Sequence, residues 1–145
     1  MSIDGVYDHG NIFAKVLRGE APAAKVFEDG EVLAFMDLFP QSRGHTLVIS
    51  KTSTARNLLD VEPEDLCMLM KGVQRVALAV NAALKPDGII ITQFNGSAAG
   101  QTVFHLHVHI IPRWADVPMA GHGGAGMADP AELAALAKEI YNNII

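Results

Sequence analysis

The stretch Phe104-His105-Leu106-His107-Val108-His109-Ile110-Ile111 constrains this chain more than any other. Three histidines alternate with aliphatic residues, and a period of two is that of a β-strand, whose successive side chains point to opposite faces. The pattern predicts a strand over residues 103–111, ended by Pro112. His105, His107 and His109 share one face, and Leu106, Val108 and Ile110 point into the core. Neighbouring imidazoles on that face are attached ~6.8 Å apart, two residues at ~3.4 Å rise. The apolar side needs a covering layer, and 145 residues are enough to supply one around a single core.

The flanking segments supply the other elements. Ile12, Phe13, Val16 and Leu17 place a short helix with one buried face over residues 11–19, closed by Gly19. Residues 25–28 and 32–37 read as strands joined at Asp29-Gly30, a two-residue hairpin signal. Phe39-Pro40-Gln41-Ser42-Arg43-Gly44 is a loop by composition, and residues 45–49 read as a buried strand. Leu66, Leu69, Met70, Val73, Val76, Ala77, Val80 and Leu84 keep a 3.6-residue period, predicting a long helix from Pro63 to Leu84. Pro63 suits its first position and Lys85-Pro86-Asp87-Gly88 stops it. Residues 89–92 are a continuous apolar run suited to a central strand. Asn95-Gly96-Ser97-Ala98-Ala99-Gly100 is a run of small residues that lets backbone approach a ligand. Residues 115–128, with a Gly-rich run at 121–126, read as mobile. A last helix starts with Asp129 as N-cap, Pro130 at the first position and Glu132 completing a capping box. Its buried face is Leu133, Leu136, Ala137, Ile140 and Tyr141. No repeat or interdomain linker is evident, so residues 1–145 read as a single domain.

Composition narrows the chemistry. Hydrophobic residues make up 50% and charged ones 19%, which excludes a disordered chain. Eleven basic against sixteen acidic residues give a formal net charge of −5. The basic residues are scattered, so nucleic acid is not the expected partner. One small phosphate ester is compatible, since imidazoles and backbone N–H groups can hold it. No run approaches ~18 uninterrupted apolar residues, so no membrane partner is expected. The segment MSIDGVYDHG lacks the features of a secretory signal. The single cysteine, Cys67, lies beside the apolar stripe of the long helix and reads as a packed thiol. A reducing cytoplasm fits these features.

Three readings of the histidine row compete. It could be a set of solvent-facing or hydrogen-bonded histidines without a function. It could ligate zinc, but a catalytic zinc needs about three converging ligands. Positions i and i+4 of a strand are ~13 Å apart, so a ligand from elsewhere, such as Asp37 or His45, would have to join. Finally, a neutral ring nitrogen attacks phosphorus well near neutral pH. Nucleophilic catalysis wants one attacking histidine, neighbours that donate to the phosphate oxygens, and a phosphate-cradling loop. The sequence has both the row and the loop.

His105-Leu106-His107-Val108-His109-Ile110-Ile111 resembles the His-φ-His-φ-His-φ-φ motif of the histidine triad (HIT) nucleotide hydrolases and transferases, in their Hint-like branch. The likeness extends over nearly the whole chain up to Trp114, and residues 115–145 form a variable loop and C-terminal helix. Asn11-Ile12-Phe13-Ala14-Lys15, Phe35-Met36-Asp37, residues 44–51 and Ala99-Gly100-Gln101-Thr102-Val103-Phe104 each resemble a family segment. The resemblance implies an α+β fold, a mostly antiparallel sheet of about five strands with one long helix on a face and a C-terminal helix. It also implies a two-fold homodimer with sheets joined across the interface.

The implied site holds a purine nucleotide, with an AMP or GMP moiety. His107 resembles the nucleophile, His109 the donor to the α-phosphate or leaving group, and His105 the support of the ring network. Gln101 and Thr102 resemble phosphate and bridging-oxygen donors. Asp37 would hold the ribose hydroxyls, and Ile12, Phe13, Val16, Phe35 and Leu38 would line the base pocket. His45 resembles a supporting histidine. Asn95 or Gln93 would make an amide contact where Phe94 stands at the position that carries an amide in relatives. Many relatives carry Cys-x-x-Cys in the leading segment as part of a structural zinc site. The matching positions here are Asn11 and Ala14, and no histidine follows Lys51 in Thr52-Ser53-Thr54. No metal and no cofactor are therefore expected. The implied activity is hydrolysis at the α-phosphate of nucleoside phosphoramidates, adenylates or dinucleoside polyphosphates. The alternatives are a nucleotide-binding adaptor with little turnover and a metal-dependent phosphohydrolase.

Overall fold

Five strands pair antiparallel in the order β1-β2-β3-β5-β4. They are β1 (Lys25–Glu28), β2 (Val32–Met36), β3 (Thr46–Ser50), β4 (Gly88–Thr92) and β5 (His107–Arg113). The helices among the described residues are α1 (Ile12–Leu17), α2 (Pro63–Leu84) and α3 (Pro130–Tyr141), with a 3-10 turn at Ser97–Ala99. The computed structural model describes residues 1–121 and 126–145. The rest of the Gly-rich run, residues 122–125, lies outside the described residues.

Cross-strand register assigns the two faces, because residues opposite each other point the same way. Ala34, Val48 and Val108 lie in one row. With Met36 and Ile110 they pack against Leu69, Val73, Val76 and Val80 of α2 and Leu133, Ala137 and Ile140 of α3. By length and composition α2 is apolar enough to cross a membrane, but one of its faces lies in this core. The opposite face carries Leu33, Phe35, Leu47 and Ile49, covered by Phe13 and Val16 of α1. Helix α1 has six residues, too few to be stable alone. Burial of Phe13 and Val16 and the Asn11 cap, whose Oδ1 accepts the Ala14 N–H at 2.9 Å, hold it there.

Several details differ from the sequence reading. Residues 88–92 form an edge strand, not a central one, and Ile90 and Ile91 are exposed. The β1–β2 turn is centred one residue later, because Asp29 N–H donates to Val32 O and Asp29 Oδ1 accepts from Glu31 and Val32 N–H. Asp129 is the N-cap of α3, but its carboxylate makes no cap bond and the capping box does not form. The segment after β5 is tied on both sides of 122–125, by Ala120 N–H to Gln41 O and Ala128 N–H to Leu38 O.

Strand β5 is also shifted. It begins at His107, not at Val103, and runs through Pro112 to Arg113. Its start is set by its neighbours, since the last pair with β3 is Ile49 to His107 and with β4 is Thr92 to His109. Pro112 is tolerated because β3 has already ended, its final pair being Thr46 to Ile110. The Pro112 carbonyl, on that side, accepts from Ser42 Oγ at 2.6 Å, so the missing N–H leaves no ladder bond unmade.

Candidate active site

His107 and His109 stand on the α1 face of the sheet, opposite Ile49 and Leu47. They form one wall of a cavity of about 240 Å³. Ile12, Phe13, Val16, Phe35, Asp37, Leu38 and Thr102, all expected at the site, line it too. Its wall is mostly apolar, and Phe13 meets Phe35 and the His107 ring edge-on, at 5.3 and 4.9 Å between centroids. His45, His105, Gln101 and Asn95 do not line the cavity.

Hydrogen-bond accounting assigns the tautomer of each neutral imidazole, because backbone N–H only donates and C=O only accepts. Gln41 N–H reaches His45 Nδ1 at 3.0 Å, so that nitrogen bears the lone pair. The His45 proton is then on Nε2, 2.9 Å from His109 Nδ1. His109 Nδ1 accepts it, which puts the His109 proton on Nε2. His107 Nδ1 is 2.7 Å from the His105 carbonyl and must donate, so in the neutral ring it is Nε2 that carries the lone pair. His105 Nε2, 3.0 Å from Ser50 O, donates as well, and its Nδ1 accepts from the Tyr7 hydroxyl at 2.6 Å. Burial holds the His105 pKa below its usual 6.5, opposed by the bond to Ser50. The ring is therefore neutral near pH 7.

The result is one acceptor and one donor side by side. His107 and His109 have ring centroids 5.0 Å apart, and their neutral tautomers place a lone pair and an N–H on their respective Nε2 atoms. Gly44, at φ +89°, makes the turn that feeds His45 into the sheet, and a Cβ there would meet Leu84 Cδ1 at 2.3 Å. His45 itself is wholly buried.

Gln101 is bound into the loop around it. Its Nε2 hydrogens go to Arg56 O and Val103 O, its Oε1 accepts from Gly96 N–H, and its N–H goes to Gly96 O. These bonds tie the small-residue loop at Gly96 to Arg56 and Val103. Asn95 Oδ1 accepts from Leu58 N–H and from Gln93 Nε2, which also bonds Phe94 O. Phe94 instead packs edge-on to His109 at 5.4 Å. His105 also departs from the expected row: it precedes the strand, and its ring turns to Ser50 and Tyr7. Sequence reasoning missed Phe39, Val103 and Tyr7. Phe39 and Val103 line the cavity. Apolar residues in loops give no periodic signal, and nothing in the sequence pairs Tyr7 with a residue 98 positions away.

The model of the HIT domain matches residues 18–116. The chain belongs to the HIT domain family. It is 43% identical over 103 residues to the Bacillus subtilis Protein hit, covering 71% of this chain and 70% of that protein. Its fold matches the crystal structure of a Hit-like protein involved in cell-cycle regulation from Bartonella henselae, with an unknown ligand. That TM-score is 0.88 at 45% identity, covering 96% of this chain and 100% of that one. It is 35% identical over 117 residues to the Adenylylsulfatase HINT3 of Arabidopsis thaliana, 77% of this chain and 59% of that protein.

The leading segment does not supply the ligands of a Cys-x-x-Cys zinc site. Asn11 is spent on Ala14 N–H and Asp8 O, and Ala14 offers no donor atom. Asp37, His45 and His109 do bring ligand-type atoms within 4.8 Å of one another, and they would be the residues to hold an ion at the site. The geometry between them is that of a hydrogen-bonded chain, with His45 Nε2 also 3.4 Å from Asp37 Oδ2.

Proposed function

We propose that this HIT protein hydrolyses purine nucleotides at the α-phosphate, through a nucleotidyl intermediate on His107. The observation that carries the reading is the pair of tautomers: an unprotonated Nε2 on His107 beside a protonated Nε2 on His109, both at the wall of one cavity. His107 Nε2 attacks the α-phosphorus, the bond from phosphorus to the leaving group breaks, and the His109 proton passes to the leaving atom. Water then attacks the same phosphorus and returns a proton to His109. The phosphorus–nitrogen bond breaks, releasing the nucleoside monophosphate. The apolar wall suits a planar base, and Asp37, at the cavity, suits the ribose hydroxyls.

The resemblance to a protein named as an adenylylsulfatase is consistent with a leaving group on the α-phosphate of an adenylate. Phosphoramidates and dinucleoside polyphosphates belong to the same reaction class. Pairing of two copies along the exposed β4 edge, with Ile90 and Ile91 outward, is part of this reading. The test is steady-state turnover of adenosine phosphoramidate, an adenylate and a diadenosine polyphosphate, with and without a chelator. At least one should be hydrolysed at a rate the chelator leaves unchanged. Tight AMP binding with no turnover would favour an adaptor, and chelator-sensitive turnover a metal-dependent enzyme.

A further inference from the structure

The chain before α1 is outside the matched HIT region, yet it reaches the histidine row. Ile3 O accepts from Arg56 Nη1 and Asn57 Nδ2 at 3.0 and 3.1 Å, and His9 O accepts from Arg18 Nη1 at 2.7 Å. Between these two anchors Tyr7 is half-buried, with its ring edge-on to His105 at 5.7 Å between centroids and its hydroxyl on Nδ1. His105 lies ahead of β5 and has no ladder pair with β3 or β4. What orients this residue is its own ring, held at Nε2 by Ser50 O and at Nδ1 by Tyr7, and the following amide, which donates to Ala55 O. The His105 carbonyl is in turn the acceptor that keeps the His107 proton on Nδ1.

The geometry points to Tyr7 as a positioning residue for the reaction: through His105 it sets the orientation and tautomer of His107. This inference rests on the proposed role of His107, and it adds a residue that lies outside the motif. An O–H donor at His105 Nδ1 selects the Nε2-protonated tautomer and fixes the ring. Without it, the ring is held at one nitrogen only, and the carbonyl that aims His107 gains freedom. The ring of Tyr7 packs while its hydroxyl orients, so the two contributions separate by substitution.

The experiment compares wild type with Tyr7→Phe, Tyr7→Ala and Val6→Ser, the last at a 90% exposed neighbour on the same segment. Long-range proton–nitrogen correlation spectra of the histidine rings are recorded on ligand-free protein, and kcat and KM on the best nucleotide substrate. In wild type, His105 should be Nε2-protonated with an accepting Nδ1, and His107 Nδ1-protonated with a slowly exchanging proton. Tyr7→Phe should shift His105 Nδ1, speed exchange of the His107 Nδ1 proton, and lower kcat about 10-fold with KM within about twofold, the size of one hydrogen bond. Tyr7→Ala should be no better, and Val6→Ser should match wild type. A Tyr7→Phe protein with wild-type ring spectra, or with altered spectra and unchanged kcat, overturns the proposal. A wild-type protein without turnover defeats the nucleotidyl-transfer reading instead. The spectra alone then decide whether Tyr7 sets His107.

Discussion

Replacing His45 by alanine removes the middle of a chain that runs from Gln41 N–H to His109. His45 has no exposed surface, and its two ring nitrogens hold Gln41 N–H at 3.0 Å and His109 Nδ1 at 2.9 Å. Stranding a buried partner costs about 1–3 kcal/mol each, and the emptied ring volume adds a cavity cost on the order of 1–2 kcal/mol. The loss should be about 3–8 kcal/mol, a large share of the roughly 5–15 kcal/mol that holds a domain this size together. Urea unfolding at neutral pH should show the midpoint falling with m unchanged, and Tm should drop by roughly 10–30 °C. His45→Phe refills the volume without the bonds, so it should recover the cavity part and none of the polar part. A His45→Ala protein that melts within about 3 °C of wild type would refute the reasoning, because the ring would then not be holding those partners. Turnover should fall in both variants, since His109 loses the donor that keeps its proton on Nε2.

Asp37→Ala should raise KM about 10-fold with little change in kcat, because a ribose contact is made in ground and transition states alike; a fall in kcat at constant KM would contradict that role. The His105 pKa is depressed by burial, so the unfolded chain binds the extra proton first as pH falls. The stability this ring contributes is complete above about pH 6.5 and is lost as pH falls through its lower folded value. Unfolding free energy followed from pH 8 to 4 should therefore decline below about pH 6.5, and His105→Gln should flatten that part of the curve.

The long helix and the histidine strand were legible because their signals are local and periodic. The two-residue period of β5 and the 3.6-residue period of α2 each survive in the sequence, and both mark the face that becomes core. Strand limits were not legible, because they are set by neighbours: His105 leaves the strand where β3 runs out, and Pro112 stays in it for the same reason. The apolar run at residues 89–92 misled about strand order, since a run of isoleucines at an edge reads like one at the centre. At the site, the motif located His107 and His109 but not how their protons are held. Tautomers depend on which carbonyl or amide each ring meets, as with His105 O, Gln41 N–H and the distant Tyr7. Gln101 shows the converse, a polar residue in the right loop whose hydrogens are taken up by the fold.

The central claim is that His107 carries the nucleotidyl group, and rapid-quench trapping tests it most directly. Wild-type protein mixed with an excess of labelled adenylate and stopped in base within milliseconds should hold nucleotide on a histidine, stable in base and lost in acid. Peptide mass analysis should place it on His107, and His107→Ala should trap none while turnover drops on the order of 10³-fold or more. Full turnover by His107→Ala, or an adduct on another residue that forms and decays at the turnover rate, would contradict the account.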